Sequence, residues 1–307
     1  MSVVLKWKVG QTERRRQFSA CERHVYYNPR THVTLQRVRE SLKYKLGQSL
    51  SKSLMPQNDT VMFSQMWIGP ETFTGDTEVE RNVLISLVNL VCQIEYALFM
   101  LLKNQRYTPK VIGTCGYIYA AEHTPVVQTL SPKWWYTETL VTTQRWPEIA
   151  AAALQVLDLV NSLDHGLEEV IQFCDMKPPN IGLNSDGIYK ILDIDSMFFQ
   201  SDLERYISGT SCRKHSDCNF LYCYGLCNLR TNTCEERIMN NNLQRACELL
   251  FLPHYRNKFN GLLSQRPASI AKELQQTLQA CVDLTYDSVH DTQEVLKQLR
   301  SLLKHSD

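Results

Sequence analysis

VIQFCDMKPPNIGLNSDGIYKILDIDSMFF (residues 170–199) sets short apolar runs against polar corners. Two such runs flank a loop that holds Asp175, Lys177 and Asn180, and the next run ends on Asp193 and Asp195. NSDG, at 184–187, has the asparagine and glycine that a tight reversal needs, so the residues on either side read as a hairpin. Thirteen positions separate Asn180 from Asp193. That is the length one hairpin needs to return an amide and a carboxylate to the same end.

Those residue types at those offsets suit phosphoryl transfer. The reaction asks a protein for an acceptor of the incoming hydroxyl's proton and for a clamp on magnesium and phosphates. FCDMKPPN (173–180) resembles the catalytic loop of protein kinases, with Asp175, Lys177 and Asn180 at the Asp, Lys and Asn positions. LDIDS (192–196) resembles the D-F-G motif, with Asp193 at its metal-binding position. Asp195 adds a second carboxylate for the metal or occupies a turn. The resemblance assigns Asp175 and Lys177 to catalysis, and Asn180 and Asp193, with Asp195, to metal.

More of the kinase pattern lies upstream. Glu95, in the apolar-rich run 78–104, stands where kinases carry the ion-pairing glutamate. TPKVIGTCGYIYAAEH (108–123) then reads as two strands around Gly113 and Gly116, with Glu122 at the hinge that receives adenine. VVLK (3–6) is similar to the V-A-I-K strand and makes Lys6 the phosphate-anchoring lysine, with Lys8 the alternative. Lys6, Glu95, Glu122, Asn180 and Asp193 are thus the candidate nucleotide-binding residues.

Composition sets limits around this core. The chain has 307 residues, is 43% hydrophobic and 21% charged, and carries a formal net charge of +1. These values fit a globular protein and exclude a general pull toward nucleic acid or acidic membranes. No run is long and apolar enough for a transmembrane helix. A sequence that opens on a strand, SVVLKWKV, suggests a truncated gene or a processed fragment.

Cysteine usage points to an oxidising compartment. Of eleven cysteines, Cys212, Cys218, Cys223, Cys227 and Cys234 crowd one segment, and Cys247 and Cys281 follow. The spacing C-x5-C-x4-C-x3-C-x6-C has no C-x2-C pair, so disulfides are favoured over zinc. Seven cysteines cannot all pair among themselves, so one reaches Cys174, Cys115 or another chain. The glycosylation triplet Asn58-Asp59-Thr60 agrees with a lumenal location.

The remaining pattern predicts helices over about 33–54, 78–104, 147–165, 238–252 and 268–304. The cysteine segment shows little periodicity. The expected fold class is α+β: a two-lobed protein kinase-like fold with a disulfide-rich, mostly helical C-terminal part. Residues 1–122 form the small lobe, without a glycine-rich loop. Residues 123–307 form the large lobe, with the loop at 173–180, the metal motif at 192–195 and the cysteine-rich segment at 212–247.

CDMKPPN and LDIDS, together with CNFLYCYGLCNLRTNTC (218–234) and RIMNNNLQRACELLF (237–251), closely resemble the divergent protein kinase domain 1 family. These are cysteine-rich, kinase-like proteins of the endoplasmic reticulum. The resemblance implies ATP with Mg or Mn, a location in the secretory-pathway lumen, and an N-terminal membrane anchor absent from this chain. It implies phosphotransfer to a Ser/Thr-type hydroxyl on a lumenal protein or small molecule. A catalytically inactive pseudokinase serving as a lumenal scaffold is the alternative. Calcium, bound by some relatives, is not expected, because GPETFTGDTEVER (69–81) lacks the alternating acidic series of an EF-hand loop. Phe173-Cys174 replaces His-Arg, Ile194-Asp195 replaces Phe-Gly, and A-P-E is missing.

Overall fold

The computed structural model describes residues 3–6, 46–68, 77–130, 145–254, 260–284 and 289–304, with scattered helical positions from 36 to 44. The chain divides into two compact units, residues 1–123 and 124–307.

Among the described residues, the first unit is a three-stranded antiparallel sheet with helices. Strand β1 (Val3–Lys6) pairs with β3 (Ile118–Glu122), which pairs with β2 (Val111–Cys115). The register sets Lys6 opposite Tyr119. Helix α1 (Gln48–Leu54) follows Gly47, and α2 (Asp59–Met66) is capped by the Asn58 side chain, which accepts from Val61 N at 3.1 Å. The glycosylation triplet therefore opens a helix rather than lying in a loop.

The single helix expected over 78–104 is two: α3 (Thr77–Val91) and α4 (Ile94–Leu101). The break has a tertiary cause. Cys92 is disulfide-bonded, and Gln93 takes an extended backbone with its amide donating to Tyr117 O at 2.8 Å. Glu95 consequently begins a new helix, where the N-terminal dipole favours a carboxylate. Tyr96, Ala97, Leu98 and Phe99 are buried beside it. Each large apolar side chain removed from water contributes about 1.5–3 kcal/mol.

The second unit is built on α5 (Trp146–His165), whose Pro147 occupies the first turn, where a missing N–H costs nothing. Ile149, Ala153, Val156, Val160 and Leu163 recur at helical spacing and are buried. Two short antiparallel pairs carry the loop residues. Strand β4 (Ile171–Phe173) pairs with β7 (Met197–Phe199), and β5 (Ile181–Leu183) pairs with β6 (Tyr189–Ile191). Residues 125–127 add to the outer side of β5 through Val127 N to Ile181 O and Leu183 N to Pro125 O. The β5–β6 turn closes on Gly187, whose φ of 74° lies where other residues are strained. The Asn184 side chain accepts from Asp186 N and Ile188 N across that turn.

Helix α6 (Gln200–Ile207) leads into the cysteine segment. There the lack of periodicity conceals a hairpin, β8 (Gly225–Asn228) with β9 (Thr233–Ile238). Helix α7 (Asn242–Ala246) continues as a wider turn through Cys247–Phe251. The helical stretch expected over 268–304 divides into α8 (Ala271–Val282) and α9 (Val289–Lys304). Helices α7 and α9 both pack on α5. Among the described residues no helix is long and apolar enough to cross a membrane.

Candidate functional site

Strand β4 delivers the loop. Cys174 N donates to Ser196 O at 3.2 Å, and Phe173 N donates to the Asn242 side chain at 3.1 Å. Lys177 precedes proline and is driven to an extended backbone, φ −146° and ψ 156°. Pro178-Pro179-Asn180 then forms one tight helical turn, for which the prolines preset φ. That turn swings Asn180 back over the loop. Its Nδ2 donates to Asp175 O at 3.0 Å and to Asp175 Oδ2 at 2.8 Å. Lys177 Nζ reaches the same Oδ2 at 2.6 Å. Asp175 and Asn180 are both buried, which keeps the donors aimed.

The hairpin returns as its length predicts. Leu192 N donates to Asn180 O at 2.9 Å, so Asp193 leaves the ladder beside Asn180. Burial raises the Asp193 carboxyl to about 6, and a hydrogen bond with Asp195 and the charges of Asp195 and Asp175 push the same way. Lys177 opposes the rise only in part.

This donor set fits a divalent cation. Asn180 spends its amide nitrogen on Asp175, and its carbonyl oxygen is by chemistry an acceptor suited to a cation. Asp193 and Asp195 add carboxylate oxygens whose mutual repulsion a cation would relieve. All are hard oxygen donors, the kind that magnesium and manganese take.

In the first unit, Lys6 Nζ is ion-paired with Glu95 Oε1 and lies 5.0 Å from the centre of the Phe99 ring. Tyr119 Oη donates to Glu95 Oε2 at 2.8 Å. Burial, then the Glu95 charge, raises the Tyr119 hydroxyl, so it stays a donor. Glu122 ends β3 with its Oε2 accepting from Lys110 N at 3.2 Å. Lys8 and residues 69–76 lie outside the described residues.

The cysteines pair as Cys174–Cys223, Cys212–Cys227, Cys218–Cys234 and Cys247–Cys281. Cys115 is free and exposed. The sulfurs of Cys212, Cys218 and Cys227 lie within 4.8 Å of one another. They belong to two adjacent disulfides, so they are not thiolate ligands for zinc.

Sequence reading missed Asn242 and Arg245. Asn242 Oδ1 accepts from Phe173 N and from Arg245 Nη2, and its Nδ2 donates to Ile171 O and Asp164 Oδ1. Arg245, fully buried, also bonds Asn240 and Gln172. Burial lowers its guanidinium to about 10. The one signal in the sequence was the capping pair Asn241 and Gln244, which marks a buried helix start but not its partners.

The sequence profile of the protein-kinase domain of FAM69 matches residues 87–284, more than half of the chain. The chain belongs to this family. The matched span carries Glu95, Asp175, Lys177, Asn180 and Asp193, and all four of the disulfides above, while Lys6 precedes it. FAM69 membership makes this a kinase-like domain, and such domains use nucleotide and metal in general. Its disulfides fit an oxidising secretory or extracellular compartment.

Proposed function

We propose that the protein is an ATP- and Mg-dependent phosphotransferase of the endoplasmic reticulum or secretory-pathway lumen, acting on a Ser/Thr-type hydroxyl. The observation that carries this reading is the Asn180 amide bonded to Asp175 at 2.8 Å, with the carboxyls of Asp193 and Asp195 gathered beside it. Asp175 Oδ2 would orient the acceptor hydroxyl and take its proton as the hydroxyl oxygen bonds the γ-phosphorus and ADP leaves. Lys177, already at that oxygen, would neutralise charge on the moving phosphoryl group. Asn180 and Asp193, with Asp195, would hold the metal, which supplies charge neutralisation on the phosphates. Lys6, oriented by Glu95 and Tyr119, would hold the α- and β-phosphates. Glu122 would stand at the adenine end.

The test is phosphotransfer from labelled ATP with Mg or Mn to lumenal proteins and to small hydroxylated acceptors. Asp175→Ala is expected to abolish transfer yet keep a Mg-ATP thermal shift, and Asp193→Asn to lose both. Full transfer by Asp175→Ala rejects the assignment.

A scaffold reading rests on Cys174. The disulfide to Cys223 occupies the place of the arginine that answers a phosphorylated segment in kinases. A Mg-ATP shift without transfer to any acceptor would select that reading.

A further inference from the structure

A cavity of about 380 Å3 opens where α5, β4, α6, β9, α7 and α9 meet. Its lining shares no residue with the Asp175 constellation. Six carboxamides face it: Gln172, Gln200, Asn240, Asn241, Gln244 and Gln293. Val170, Ile238 and Met239 add apolar wall, and Asp164 and His165 are the ionisable lining groups.

The amides are fixed by bonds to the protein. Gln172 Nε2 donates to Gln200 Oε1 at 3.2 Å, Gln200 Nε2 to Glu204 Oε1 at 3.0 Å, and Asn241 Nδ2 to Thr292 Oγ1 at 3.3 Å. An amide nitrogen carries two hydrogens and its oxygen two lone pairs, so Gln172, Gln200 and Asn241 keep capacity of both kinds, whereas Gln244 Nε2 gives both hydrogens to Val282 O and Leu284 O and Asn240 Oδ1 accepts from both Tyr224 N and Arg245 Nη1. Beneath them Arg245 holds the oxygens of Gln172 and Asn240. Asp164 Oδ1 accepts from Asn242 at 2.7 Å, which sets that carboxyl at the cavity edge.

The chemistry selects a ligand class. An anion would want cationic donors in the wall, and a metal ion would want several carboxylates; neither set lines the cavity. Neutral groups that both donate and accept match hydroxyls, which also do both. The apolar wall suits the C–H face of a pyranose. The volume falls at the small end of ligand sites, roughly 300–1,000 Å3. We propose that this cavity is a saccharide-binding site, sized for one or two sugar rings and separate from the Asp175 loop. It is tied to that loop, because Gln172, Arg245 and Asn242 form a bonded chain that ends on Phe173 N.

The test uses the full chain with glucose, mannose, galactose and N-acetylglucosamine, each offered separately at millimolar concentration. Saturation-transfer NMR is expected to detect at least one of them. Hydrogen exchange is expected to slow in residues 170–172 and 238–244 when that sugar is present. Gln293→Trp, a substitution at an exposed position on α9, is expected to block the mouth and weaken binding roughly tenfold or more, with an unchanged melting temperature. Asp193→Asn is expected to leave the sugar signal intact, so the site stands or falls apart from phosphotransfer. The proposal is overturned if no sugar gives transfer, or if protection maps elsewhere. It is equally overturned if triglycine displaces the sugar, or if a folded Gln293→Trp binds as tightly as wild type. Should that variant misfold, the wild-type exchange footprint decides alone.

Discussion

Cys174, the residue before Asp175, is joined through sulfur to Cys223, with their Cα atoms 5.1 Å apart. The carbonyl of Cys174 also accepts from Tyr222 N at 3.0 Å, and its amide donates to Ser196 O. The start of the loop is thus held covalently to the cysteine-rich segment and by backbone to the residue after Asp195.

Replacing both partners, Cys174→Ala with Cys223→Ala, is expected to destabilise the fold by about 2–4 kcal/mol, because the unfolded chain regains a 49-residue loop. Chemical denaturation would measure the loss. Nucleotide-dependent activity should fall further than stability alone explains, since Asp175 loses its anchor. A double variant with wild-type stability and activity would show the link to be passive.

Asp193 sets a pH dependence. Its folded value, about 6, lies above the ordinary aspartate value of 3.8. The folded state therefore binds the extra proton. The stability this group contributes is fully present below pH 3.8 and is lost as pH rises through about 6. Metal-free wild type should lose stability across that window relative to Asp193→Asn. Magnesium needs the ionised carboxylate, so its affinity should rise with pH through the same window, with proton release seen by calorimetry in buffers of different ionisation enthalpy. A flat affinity profile would remove Asp193 from the metal site.

Asn242→Ala removes an acceptor shared by Phe173 N and buried Arg245, and a donor to Ile171 O and Asp164. Leaving these groups buried without that partner is expected to cost about 3 kcal/mol. The denaturation midpoint should drop accordingly. Asp175-dependent activity should drop with it, because the loop's entry strand loses its tether.

Gly182 lies two residues past Asn180, and a Cβ there would come within 2.7 Å of both Leu192 Cδ2 and Thr124 O. The backbone oxygen cannot yield easily. Gly182→Ala is expected to cost about 1–3 kcal/mol and to shift the hairpin that pairs residue 180 with 192. Weakened Mg-ATP thermal shift, measured against an equally destabilised variant in α8, would separate the geometric effect from the loss of stability.

Lys6→Met breaks a half-exposed ion pair with Glu95, so its stability cost should stay under about 1 kcal/mol. The Mg-ATP thermal shift should nonetheless shrink strongly if Lys6 holds phosphates. An unchanged shift would return Lys6 to the status of an ordinary strand lysine.

Much of the site was legible because its cues are local. The turn residues of NSDG, the prolines before Asn180 and the thirteen-residue interval act over one hairpin, and a short loop's geometry follows from the residues within it. The long helix over 78–104 was misread for the opposite reason. Its apolar periodicity runs on smoothly, whereas the break at Cys92-Gln93 is imposed by a disulfide and by the Tyr117 carbonyl in the turn between β2 and β3. The β8–β9 hairpin hid in the same way, because disulfides rather than alternating hydrophobics fill its interior.

By itself, then, the sequence determined which residues could meet within one turn or hairpin: Asp175 with Lys177 and Asn180, and the return of the chain to Asp193. Local backbone chemistry suffices for that. Only the tertiary structure decided which cysteine partners Cys174, that Asn242 and a fully buried Arg245 support the loop from below, and that six carboxamides converge on one cavity. Those contacts join residues 49 to 73 positions apart or more loosely scattered. Pairings at that range depend on packing the whole unit, and no periodicity in the chain encodes them.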